Sequence, residues 1–163
     1  MKAVVIVRHM WHLAVNIRYT ALLEIASTYH WEGMYAKARE LREKVLEWRK
    51  RKFGREHPYT LKVMVSLAST YRQQGHVAEA AKLVDKVLET RIKILGNEHP
   101  DTLDTILCLA SIYRYQRHFP MAAKLGEKVL ETRRRILGKE HLQTLTAMAN
   151  VARAYYGQGR RVE

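Results

Sequence analysis

A phrase of nine residues returns three times at constant spacing, and this constrains the fold more than any other feature of the chain. Phe53-Gly54-Arg55-Glu56-His57-Pro58-Tyr59-Thr60-Leu61 reappears as Leu95-Gly96-Asn97-Glu98-His99-Pro100-Asp101-Thr102-Leu103. It appears again as Leu137-Gly138-Lys139-Glu140-His141-Leu142-Gln143-Thr144-Leu145. The histidines give the step, 99 − 57 = 42 and 141 − 99 = 42. Other columns keep it: Ala26, Ala68, Ala110 and Ala152; Tyr29, Tyr71, Tyr113 and Tyr155; Ala38, Ala80 and Ala122; Leu41, Leu83 and Leu125. A period of this length belongs to arrays whose units cover each other's apolar faces.

Each unit reads as two helices. Leu61, Met64, Leu67, Ala68 and Tyr71 follow three- and four-residue spacing, which predicts one apolar stripe. Gln74-Gly75 breaks the stripe, because glycine tolerates the left-handed conformation that ends a helix. A second stripe runs through Val77, Ala80, Val84, Val87, Leu88 and Ile92 to Leu95-Gly96. The Glu-His-Pro segment is the return loop, with Thr102 expected to cap the following helix through its hydroxyl. Ala68 and Ala80 should let the paired helices approach closely.

The composition excludes several classes. The chain of 163 residues carries a net charge of +13, which attracts acidic partners of any kind. Cys108 is the only cysteine, so no intrachain disulfide can form. The apolar run Ala3 to Val7 is too short for a signal sequence or a membrane span. A cytoplasmic setting is the expectation.

The columns resemble tetratricopeptide repeats (TPR) of the 42-residue kind. The pattern L-A-x-x-Y, then Q-G-x-x-x-E-A, then L-G-x-E-H-P-D-T is similar to the repeats of kinesin light chains. It is also similar to the C-terminal repeats of NLR-like signalling ATPases, in phrases such as Leu67-Ala68-Ser69-Thr70-Tyr71-Arg72 and Glu131-Thr132-Arg133-Arg134-Arg135-Ile136-Leu137-Gly138. The likeness runs from about Arg18 to Arg160. It implies an all-α fold, a right-handed α-solenoid of stacked antiparallel helix hairpins. Units are expected at about 18–59, 60–101 and 102–143, with a half unit at 144–163. Residues 1–17 fall outside the register, and read either as an apolar helix capping the first hairpin or as part of something truncated. Two departures stand out: Arg117 replaces the turn glycine, and Leu142 replaces the loop proline.

The resemblance further implies that the first helix of each unit lines a concave groove for peptides. Carried over by position, that groove offers His30, Trp31, Lys62, Ser69, Arg72, Gln73, Ser111, Arg114, Tyr115 and Arg153. Arg72 and Arg114 stand one repeat apart and could grip carboxylates as guanidinium forks, or could be solvated surface residues. Ser27, Ser69 and Ser111 stand where the asparagine of a chaperone-tail clamp would be, which argues against that ligand. The expected function is therefore a non-catalytic scaffold binding a protein or peptide segment, acidic in character. It would form the repeat part of a larger kinesin light chain-like or NLR-like protein. The alternative is a basic surface associating non-specifically with nucleic acid or acidic partners. Self-association through the unpaired C-terminal helix is a further expectation, because Met148, Val151, Ala152 and Tyr155 keep the apolar pattern.

The remaining signals read as structure. Arg49-Lys50-Arg51-Lys52 and Arg133-Arg134-Arg135 lie at the ends of second helices, where cations complement the helix dipole and solvate the convex face. His57, His99 and His141 are one to a repeat, too far apart to share a metal, and are expected to pack the loops. His9 and His12 are one helical step apart without partner ligands. Cys108 sits beside an apolar stripe as a small core residue. No phosphate loop, nucleophile elbow or HExxH is present. No enzyme activity, cofactor or metal is expected.

Overall fold

In the computed structural model the described backbone covers residues 2–159 and the described side chains residues 16–159. Among these residues there are seven helices and no strand. They are α1 (Lys2–Trp31), α2 (Tyr35–Phe53), α3 (Pro58–Gln73), α4 (Val77–Leu95), α5 (Pro100–Tyr115), α6 (Phe119–Leu137) and α7 (Leu142–Gly157). The chain divides into two compact units, Met1–Thr70 and Tyr71–Glu163. Residues 2–17 continue without a break into α1, and the side chains of 1–15, including His9 and His12, lie outside the described residues.

In the first unit α1 and α2 form a hairpin, and Ala26 of α1 and Ala38 of α2 are both fully buried. Tyr19 stacks on Trp48 at 4.2 Å between ring centroids near the open end of that hairpin. In the second unit consecutive helices pack in turn, and α5 also touches α7. One core cluster draws Leu103, Ile106 and Leu107 from α5, Val129 from α6 and Ala147 from α7. A hairpin therefore does not close its own core; the helix that follows it supplies the missing cover. Gly126 on α6 lets Val151 of α7 approach so closely that a Cβ there would lie 2.9 Å from its methyl group.

The turns inside each hairpin share one geometry. The N–H groups of Met34, His76 and His118 donate to the carbonyls of Tyr29, Tyr71 and Tyr113, each at 2.8 Å. Together with the bonds from Gly33, Gly75 and Arg117 to the carbonyls three residues back, they make a Schellman end. That end needs a positive φ, and Arg117 adopts 64° where its counterparts are glycines. Its guanidinium rests 5.7 Å from the Phe119 ring.

The loops between hairpins correct the capping expectation. Helix α5 begins at Pro100, and its N-cap is His99, whose Nδ1 accepts the Asp101 N–H at 3.1 Å. His57 and His141 do the same for Tyr59 and Gln143, at 3.3 and 3.2 Å. Thr102 lies inside the helix and is wholly buried, as are Thr60 and Thr144. Pro100 fits the first turn because it has no N–H to satisfy, so the helix starts earlier than a threonine cap would require.

The basic runs need a second correction. Arg49, Arg91 and Arg133 are buried, with 9%, 6% and 1% of their surface exposed. Each Nη1 donates to the carbonyl ten residues on: Tyr59 at 2.8 Å, Asp101 at 2.7 Å and Gln143 at 2.9 Å. These arginines are not convex-face charges; they tie the end of one hairpin to the first turn of the next helix. Replacing Arg133 with Met would keep the volume but remove the bond to the Gln143 carbonyl and leave the Asp104 carboxylate without its partner. Urea unfolding should show a loss of about 1.5–3 kcal/mol for Arg133→Met, and a comparable loss for Arg91→Met. Arg117→Gly should act in the opposite direction, raising stability by about 0.5–1 kcal/mol as the left-handed penalty is removed.

Candidate functional site

Arginines from three helices converge in the second unit. Arg72 closes α3, Arg114 closes α5, and Arg153 lies on α7. The Arg72 guanidinium sits over the Tyr115 ring, 5.9 Å from its centroid. The Arg114 guanidinium is held below its usual basicity, first by burial and then by repulsion from Arg72 and Arg153. Its Nε is buried and has no hydrogen-bond partner. Among the described residues none of the three pairs with a carboxylate. Asp104, which lies on the same helix as Arg114, is already engaged by Arg133. The result is a concentration of positive charge that no acid among the described residues pairs with, which favours an anionic ligand such as a carboxylate.

The other expected groove residues fall into place more loosely. Ser111 is half-buried on α5 and its hydroxyl donates to the Cys108 carbonyl at 2.8 Å, while Gln73 is exposed. In the first unit Ser69 is half-buried, Lys62 is exposed, and Trp31 is 87% exposed. His30 is drawn inward: its Nδ1 lies 3.3 Å from Arg42 Nη1, and its ring meets Tyr35 edge-on at 5.3 Å. Arg42 is itself buried and donates to the Ser66 carbonyl at 2.8 Å and to the Thr70 hydroxyl. The position expected to face a ligand as His30 is thus partly a packing residue.

Buried guanidinium groups at Arg42, Arg49, Arg91 and Arg133 are the component that sequence reasoning missed. The signal was present, since Arg49, Arg91 and Arg133 keep the 42-residue register and charge alone gives no cause for that. Beside Arg42 and Arg49 lies a cavity of about 560 Å³ in the first unit, walled by Trp48, Phe53 and Tyr59.

Among the described residues no group of three histidine, cysteine, aspartate or glutamate side chains could hold a metal ion. Burial pushes the Cys108 thiol up to about 11, against a pull from Arg72 and Arg91 in the other direction. At pH 8 the folded protein should react with a disulfide reagent roughly a hundredfold more slowly than the urea-unfolded chain. A stopped-flow trace with equal rates would show the thiol to be open.

The tetratricopeptide repeat family model matches residues 18–93, 67–132 and 101–163. No curated protein matches the chain. Among solved structures, a Podosopora anserina protein assigned to the kinesin light chains, with nearly identical TPR-like repeats, is 31% identical. That match covers 88% of this chain and 68% of the other, with a TM-score of 0.79. A point variant of it gives 31% identity, the same coverage and a TM-score of 0.78. BtubC (BKLC) from P. vanneervenii, at 24% identity and TM-score 0.72 over 93% of this chain and 62% of that one, shares the fold. No described helix is long and apolar enough to cross a membrane. With the 42-residue columns, the hairpin turns and these matches together, the chain belongs to the tetratricopeptide repeat family, with kinesin light chain-like repeats.

Proposed function

We propose that the chain is the repeat part of a non-catalytic, cytoplasmic scaffold that holds an acidic peptide segment of a partner protein. Tetratricopeptide repeats are in general protein-interaction scaffolds. The observation that carries the acidic character is the group of Arg72, Arg114 and Arg153, in which Arg114 is repelled by the other two and none pairs with a carboxylate among the described residues. An incoming Asp or Glu side chain relieves that repulsion. Tyr115, half exposed under Arg72, offers a surface for an apolar neighbour of the acid. The alternative of sequence-blind nucleic-acid binding draws less support, because Arg49 and Arg133 of the basic runs are interior and have backbone partners.

Fluorescence titration with labelled acidic peptides at physiological salt tests the reading. Saturable binding should weaken by about 10–100-fold in the double variant Arg72→Glu with Arg114→Glu. A dissociation constant untouched by that reversal removes the three arginines from the site.

A further inference from the structure

Where one hairpin of the second unit passes to the next, apolar side chains face solvent in a repeating way. Ile94 and Leu95 end α4, Ile136 and Leu137 end α6 at the same register, and all four are exposed. Leu142 opens α7 and is 76% exposed, where the other two loops have Pro58 and Pro100. A lone exposed leucine calls for no explanation, but a set held in register does. Leu145 and Met148 are a different case. Their equivalents Leu103 and Ile106 are buried, at 4% and 5%, so exposure is not a property of those repeat positions. At the helix ends it is.

The two loops of this unit adjoin, because Arg135 pairs with Glu98. Residues 134–142 hold three cations, Arg134, Arg135 and Lys139, against one acid, Glu140, and all four are exposed. Arg134 and Lys139 have no carboxylate partner among the described residues. A surface that leaves water must also have its backbone groups paired. Here the Gly138 N–H donates to the Arg134 carbonyl, His141 Nδ1 accepts the Gln143 N–H, and Arg133 donates to the Gln143 carbonyl. Both ends of the loop are therefore tied before its apolar tips meet anything.

We infer that the α6–α7 loop, with the adjoining end of α4, is a peripheral docking edge for an anionic phospholipid bilayer. Ile136, Leu137 and Leu142 enter the headgroup layer, while Arg134 and Lys139 meet lipid phosphates and carboxylates. The contact is interfacial and needs no spanning helix. Nucleic acid would use the cations but gain nothing from the isoleucine and leucine tips; the combination of the two chemistries is what favours lipid. The inference is independent of the peptide reading, since Arg72, Arg114 and Arg153 take no part in it.

Co-sedimentation of the full chain with vesicles at physiological salt tests it, using phosphatidylcholine alone and with about 30% phosphatidylserine. The mixed vesicles should bind at least about tenfold more strongly than the neutral ones. Ile136→Ser with Leu142→Ser leaves the charge unchanged and should weaken that binding by about tenfold or more. Arg134→Glu with Lys139→Glu should do the same. Lys82→Glu with Lys86→Glu, an equal change of charge at exposed positions of α4, should stay within about threefold of the parent. Every substituted site is exposed, so all three variants should keep the parent's melting temperature to within about 2 °C. Absence of binding to the mixed vesicles would overturn the inference, as would an α4 pair that loses as much as the loop pair. A serine pair that binds like the parent would also overturn it, reducing the edge to the bare phosphate attraction that nucleic acid shares.

Discussion

A guanidinium buried at the end of a second helix, donating to a carbonyl in the first turn of the next helix, decides where one hairpin stops and another starts. Arg49, Arg91 and Arg133 make that bond at 2.7–2.9 Å, each across a loop closed by a histidine cap. The helix-terminal carbonyls and N–H groups on either side of a loop have no partners within their own helices. The histidine ring satisfies one such donor, and the arginine adds a second bond to a first-turn carbonyl of the same helix.

Putting arginine inside also determines how the excess positive charge is spent. Four guanidinium groups are interior, and burial lowers the basicity of Arg42 and Arg49. Arg133 has a carboxylate and Arg91 a hydroxyl; Arg49 has a carbonyl and the face of the Tyr59 ring. Burying a charge without an opposite one is costly, and a fold keeps such an arrangement only where other contacts compensate or a ligand completes it. The cluster of Arg72, Arg114 and Arg153 poses the same problem nearer the surface, where solvent screens part of the repulsion.

Much of the architecture was legible because apolar periodicity is local in sequence. The helices carrying the Leu61 to Tyr71 and Val77 to Ile92 stripes, and the turn at Gly75, follow from residues a few positions apart. Arg117 was read as a departure at the turn, yet the backbone takes the same left-handed shape, because the surrounding Schellman bonds outweigh the cost to one residue. Thr102 was misread as a cap since serine and threonine caps are common and a histidine Nδ1 cap is not a familiar signal. The arginine runs were misread for a similar reason. A run of charges usually faces water, and only register distinguishes Arg133 from its neighbours Arg134 and Arg135, both exposed.

From the sequence alone came the period, the helical class, the hairpin turns and the positions of Arg72 and Arg114, because each depends on spacing along one strand of backbone. Tertiary structure decided which arginines are interior, that Arg153 joins Arg72 and Arg114, and that Asp104 belongs to Arg133 instead of a ligand. Those outcomes depend on distances between side chains 29 to 81 positions apart in the numbering, Arg133 to Asp104 at one end of that range and Arg153 to Arg72 at the other. A one-dimensional pattern places such residues on the same kind of face; packing alone determines whether their charged ends meet.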